Sequence, residues 1–127
     1  MVKKSRILVV DDELEVVNLL RKRLEKADYE VLTATSGPQG VRVALEQKPD
    51  LILLDIIMPE VDGLTILRQL KAEEATSRIP VVMVTAKGMT DSIFEARKYG
   101  ATDYIIKPFQ WDDLLKFVKK YLVLYSK

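Results

Sequence analysis

No cysteine and no histidine occur among the 127 residues of this chain. Without cysteine there can be no disulfide, no thiolate zinc site and no thiol nucleophile, a composition that suits a reducing compartment. Without histidine there is no imidazole base, no histidine metal ligand and no phosphohistidine carried by the chain itself. An excess of charge is also missing: 20 Lys+Arg against 19 Asp+Glu leave +1, which gives bulk charge no purchase on nucleic acid or a membrane surface. Long apolar runs are absent too. The N-terminal MVKKSRILVVDDE has a short apolar run, Ile7 to Val10, before its acids, too little for a signal peptide or a membrane span, so a soluble cytoplasmic protein is expected. What remains is 48% hydrophobic residues in a length that suits one domain with a real core, spanning 1–127, with no linker, low-complexity segment or repeat.

The chain is organised around LILLDIIMPEVDG, Leu51 to Gly63. Leu51, Ile52, Leu53 and Leu54 run unbroken into Asp55, and an apolar run without alternation is the pattern of a strand covered on both faces. Two more such runs exist: Ile7–Val10, ending on Asp11, Asp12 and Glu13, and Val81–Val84, ending on Thr85 and Ala86. More polar strands are predicted over Tyr29–Ala34 and Asp103–Ile106, the latter running into Lys107-Pro108-Phe109. Between them lie helical stripes: Val17, Leu20, Leu24 and Ala27 after Leu14; Gly37–Gln47, opened by Ser36 and Pro38; and Leu64, Ile66, Leu67 and Leu70, ending near Glu74. Ser92–Tyr99, stopped by Gly100, and Trp111–Leu124 complete the set. Five strands alternating with five helices predict an α/β domain, a doubly wound five-stranded parallel sheet of order 2-1-3-4-5 with flavodoxin-like (βα)5 topology and right-handed crossovers. The three apolar strands take the centre.

Every strand of a parallel sheet presents its carboxyl end at one edge, so Asp11, Asp12, Asp55, Thr85 and Lys107 are expected to share a cleft there. Taken singly, each has an ordinary reading. Asp11, Asp12 and Glu13 can be caps at a helix N-terminus, Thr85 a strand-end hydroxyl and Tyr104 a half-buried strand residue. Their convergence favours a site. Three carboxylates against one ammonium sum to −2, and a hard divalent cation with oxygen ligands would neutralise that charge.

The fragments VVDDE, LLDIIMPEVDG, VTA and IIKPF stand in the order and spacing of a known family. From Arg6 to about Tyr125 the chain resembles the response-regulator receiver domain, in particular the single-domain, chemotaxis-type regulators of two-component systems. The resemblance implies Asp55 as phosphoacceptor, taking its phosphoryl group from a histidine kinase or a phosphotransfer protein. It implies Mg2+ held directly by Asp12, Asp55 and the carbonyl of Ile57, with Asp11 acting through water. Lys107 would neutralise phosphoryl oxygens, Thr85 would read the phosphoryl group, and Tyr104 would follow Thr85 inward. That switch would alter the face of helix four, strand five and helix five for an unknown output protein or domain. A cis bond before Pro108, a monomer or weak phosphorylation-dependent dimer, and a non-enzymatic switch role also follow from the family.

Ile57 and Lys87 occupy positions that tune hydrolysis in the family, and Ile57, where polar side chains are common, is expected to shield the acyl phosphate from water. Met58 and Met89 flank the predicted cleft mouth and read as gap-fillers before contact residues. Leu122–Tyr125 reads as packing onto the sheet or a missing neighbour, with a partner surface as the alternative. An aspartyl phosphatase of the haloacid dehalogenase type is disfavoured because its second aspartate would stand where Ile57 is. A flavin carrier is disfavoured because DDE would repel a phosphate, and an inert interaction module because no pocket member is missing. The chain is of stand-alone receiver length and holds no helix-turn-helix, although a receiver cut from a longer regulator would read the same.

Overall fold

A computed structural model describes residues 3–86 and 88–125. Lys87 therefore lies outside the described residues. In chain order the elements are β1 (Arg6–Val10), α1 (Leu14–Lys26), β2 (Glu30–Ala34), α2 (Gly37–Gln47), β3 (Leu51–Asp55), α3 (Gly63–Ala72), β4 (Val81–Ala86), α4 (Thr90–Lys98), β5 (Asp103–Lys107) and α5 (Trp111–Leu124). All strand pairs are parallel, in the order β2-β1-β3-β4-β5. This is the doubly wound flavodoxin-like arrangement expected from the alternation of patterns.

Successive strand residues point to opposite faces, so an all-apolar strand feeds two cores at once. Leu8, Val10, Ile52, Leu54, Val81 and Met83 pack on one face against α2, α3 and α4, through residues such as Ala44, Ile66, Leu67 and Ala96. Ile7, Val9, Leu51, Leu53, Val82 and Val84 pack on the other against Val17, Leu20 and Leu24 of α1 and Leu114, Val118 and Tyr121 of α5. Met58 is buried in the first core with Met89 against it, which accounts for both as packing residues. Among the described residues no helix is long and apolar enough to cross a membrane.

Two helix boundaries differ from the sequence reading. α3 leaves the helix at Glu73 because the Thr76 hydroxyl takes the Leu70 carbonyl at 2.6 Å, the acceptor that the amide of residue 74 would need. α4 starts at Thr90, two residues before Ser92, with Asp91 in its first turn favourable to the helix dipole. It ends as expected: Gly100 takes φ 101° and its N–H reaches the Arg97 carbonyl. At the end of α5 only the first residue of 122–125 packs onto the sheet layer, as one of the expected alternatives had it. Leu122 packs on the core, but Val123, Leu124 and Tyr125 are 73%, 64% and 49% exposed.

Candidate functional site

The sheet register brings the predicted residues to one edge. Asp55 closes β3 beside Val84, and Lys107 closes β5 beside Ala86. Asp11 and Asp12 follow β1, whose last residue pairs with Leu54. Asp11 and Asp55 are buried while Asp12 is exposed, and one carboxylate oxygen from each lies within 4.8 Å of the others. Lys107 Nζ donates to Asp11 Oδ2 at 3.0 Å and to Asp55 Oδ2 at 3.2 Å, with Glu13 at 3.8 Å.

Both buried acids are oriented the same way. Asp11 Oδ1 accepts the Glu13 N–H at 2.9 Å, and Asp55 Oδ1 accepts the Ile57 N–H at 3.2 Å. Each carboxylate gives one oxygen to the turn that follows it and the other to the lysine. Asp11 thus closes the turn before α1 and does not cap the helix, whose N-cap residue Glu13 makes no side-chain cap bond.

The charge balance follows from this geometry. Burial, and then the Asp11 carboxylate, push the Asp55 carboxyl from 3.8 up to about 6, against the opposing pull of Lys107 and the Ile57 N–H. Burial alone would lower the Lys107 ammonium, but its hydrogen bond and charge interaction with Asp11, followed by those with Asp55, raise it instead. One ammonium serves two buried acids, and the site holds too little positive charge for both. Three carboxylates at this spacing form a hard oxygen donor set, which fits a small divalent cation such as Mg2+.

Thr85 and Tyr104 share the region but are not part of the ion-paired cluster. The buried Thr85 gives its hydroxyl to the Ala86 carbonyl at 3.3 Å. Tyr104, beside Met83 in the sheet, faces Arg97 of α4 with the guanidinium carbon 5.8 Å from its ring centroid. Ile57 is 53% exposed at the site's edge. The Lys107-Pro108 bond is cis.

One supporting residue, Gly63, is given no role by the sequence reading beyond closing the central stretch. A Cβ there would meet the Asp55 carbonyl oxygen and lie 2.7 Å from Ile56 Cα. Gly63 opens α3, with Asp62 as its cap at 2.9 Å from the Thr65 N–H, so the helix can rest directly on the end of β3. The available signal was a glycine at a first helical position, where better helix formers are free to stand.

Residues 7–119 match the family model of the response regulator receiver domain. The chain belongs to the response-regulator receiver family. It is a receiver of the two-component signalling type. Protein PilH of Pseudomonas aeruginosa is 42% identical over 119 residues, a match covering 93% of this receiver and 98% of PilH. PhoB of the same organism, a phosphate regulon transcriptional regulatory protein, is 43% identical over 116 residues, 91% of this chain. The receiver spans 51% of PhoB's length, about half. The CheY-like receiver domain protein of Methanospirillum hungatei JF-1 superposes with a TM-score of 0.92 at 27% identity, covering 98% of both chains.

Proposed function

We propose that this receiver accepts a phosphoryl group on Asp55 from a phosphohistidine of a histidine kinase or phosphotransfer protein, in the cytoplasm, as a switch and not as a turnover enzyme. The observation that carries the reading is Lys107 Nζ bridging Asp11 and Asp55 in a pocket with uncompensated negative charge. Asp11, Asp12, Asp55 and the Ile57 carbonyl would hold Mg2+, which supplies charge neutralisation at the transferring phosphoryl oxygens.

The chain's own residues account for the rest. An Asp55 oxygen forms the new P–O bond as the P–N bond of the donor breaks, and the departing imidazole carries its electron pair and takes a proton. The Ile57 N–H fixes the plane of the attacking carboxylate. Lys107 leaves the Asp55 oxygen for the incoming phosphoryl group, placing a fixed positive charge where negative charge spreads in a loose transition state. Thr85 exchanges its weak bond to Ala86 for a phosphoryl oxygen, Tyr104 turns inward, and the α4, β5 and α5 face changes. A near-complete shift needs roughly 5 kcal/mol of differential interaction, within reach of several charge-assisted hydrogen bonds. The output is a separate protein or an attached domain, and the receiver acts as a monomer or a weak phosphorylation-dependent dimer.

Intact mass after incubation with acetyl phosphate tests the reading. Wild type is expected to gain one phosphoryl group only with Mg2+, and Asp55→Asn none. Should neither acetyl phosphate nor beryllofluoride change the wild type, the phosphoacceptor role is wrong. The exposed Ile57 side chain is read as a hydrophobic shield over the acyl phosphate. Ile57→Asn is expected to shorten its lifetime by up to about tenfold, a loss of roughly 1.4 kcal/mol of barrier. Time-resolved loss of the phosphoryl mass measures this, and equal decay rates would reject the shield.

A further inference from the structure

Edge strand β5 pairs with β4 on one side only, so side chains must help to fix it against its neighbouring helices. Asp103, its first residue, supplies such a connection. Oδ1 accepts the peptide N–H of Tyr104 at 2.8 Å, and Oδ2 accepts a hydrogen bond from the hydroxyl of Tyr121 in α5. Tyr121 is buried in the core beneath α5 with Leu114 and Val118, whereas the Tyr104 ring packs against the core on the opposite face of the sheet. There Arg97 of α4 stands over the ring. Tyr104 is therefore held at two points, its backbone by α5 through Asp103 and its ring by α4. Burial, and then the hydrogen bond to Asp103, push the Tyr121 phenol up to about 12, so it remains a donor at neutral pH.

We propose that Tyr121 and Asp103 are positioning residues of the switch: their hydrogen bond braces the backbone of Tyr104 and favours the ring orientation held beneath Arg97 in the resting protein. An inward turn of the ring gives up the Arg97 contact and reshapes the start of β5, and the brace opposes both. Weakening it lowers the cost of switching. The effect on phosphoryl-analogue binding rests on the phosphoacceptor reading, whereas the effect on Tyr104 itself does not.

The test compares wild type, Tyr121→Phe and Asp103→Asn by NMR of labelled tyrosine rings and by beryllofluoride titration with Mg2+. The titration is read by fluorescence of Trp111, the single tryptophan, which lines a groove with Lys107. Without ligand, Tyr121→Phe is expected to gain nuclear Overhauser contacts between the Tyr104 ring and the Thr85 methyl. Its half-saturating beryllofluoride concentration is expected to fall about three- to tenfold, the worth of one net hydrogen bond. Asp103→Asn keeps an oxygen for the Tyr104 N–H and is expected to fall between the two. A lower melting temperature with unchanged Tyr104 contacts would reduce the pair to a structural contact and overturn the proposal, as would weaker beryllofluoride binding. If wild type binds no beryllofluoride, the phosphoacceptor reading fails alone, and the unliganded Tyr104 contacts still decide the role of the brace.

Discussion

In metal-free buffer at pH 7, Asp55→Asn is expected to be more stable than wild type by about 2 kcal/mol, with the advantage vanishing as the pH is lowered to 4. The cause is the Asp55 carboxyl, pushed from 3.8 to about 6 by burial and by Asp11. A group that holds its proton more tightly folded than unfolded makes the folded state relatively more stable when protonated. Its penalty is absent below the unfolded value of 3.8, grows as the pH rises between 3.8 and about 6, and is complete above that. A shift of about two units corresponds to roughly 3 kcal/mol, an upper figure because the denatured chain also interacts with itself. Asparagine removes the ionisation, keeps an oxygen for the Ile57 N–H, and leaves Lys107 paired with Asp11. Urea unfolding of both proteins in EDTA at pH 4, 5, 6, 7 and 8 measures the effect. Carboxylates outside the pocket contribute equally to both proteins, so the difference isolates the linked cluster of Asp55, Asp11 and Lys107. Parallel curves would show that Lys107 already balances the pocket by itself. Adding Mg2+ is expected to stabilise wild type more than the variant, since only wild type offers the full donor set.

This cost also explains which parts of the molecule were legible in the sequence. Leu51–Leu54, Ile7–Val10 and Val81–Val84 announce themselves as central strands because burial on both faces forbids polar residues, and their order follows from the topology of parallel sheets. Asp11, Asp12, Asp55 and Lys107 were legible for the opposite reason: charges at the ends of such strands violate the pattern around them, and local conflict marks functional sites. Gly63 carries only the weak mark of a glycine opening a helix, because what it avoids is the backbone of Asp55 and Ile56, a contact between chain segments already folded together. The brace of Tyr121 on Asp103 was hidden likewise, with both residues reading as ordinary members of α5 and β5. The end of α3 was overrun because Thr76, six residues from Leu70, competes for its carbonyl across a turn that periodicity does not see.

Gly63→Ala is expected to destabilise the receiver by about 3 kcal/mol and to impair Mg2+-dependent phosphorylation in the molecules that remain folded. Alanine is the better helix former by roughly 1 kcal/mol, so local propensity predicts gain, not loss, at this first position of α3. Packing reverses the sign. The added Cβ would meet the carbonyl oxygen of Asp55 and come within 2.7 Å of Ile56 Cα, both backbone atoms that cannot rotate away. Relief requires one of two movements. α3 can lift from β3, stretching the 2.7 Å bond from Gly63 N–H to the Ile56 carbonyl and drawing Ile66, Leu67 and Leu70 from the core. Alternatively the end of β3 can shift, carrying Asp55 away from Asp11 and Lys107. Overpacking in a core ordinarily costs about 1–3 kcal/mol, and a clash with rigid backbone belongs at the upper end of that range. Gly88 is the control: its φ of 90° strains an alanine, but no atom of the described residues lies within 4 Å of a Cβ there. Gly88→Ala is therefore expected to lose only about 1–2 kcal/mol, from left-handed strain alone. Urea unfolding of the two variants, followed by acetyl phosphate labelling at equal folded concentration, separates the movements. Destabilisation with normal labelling means that α3 yields, whereas loss of labelling in folded protein means that Asp55 has moved. A Gly63→Ala protein as stable as wild type and normally labelled would show that α3 does not rest on the phosphoacceptor strand in solution.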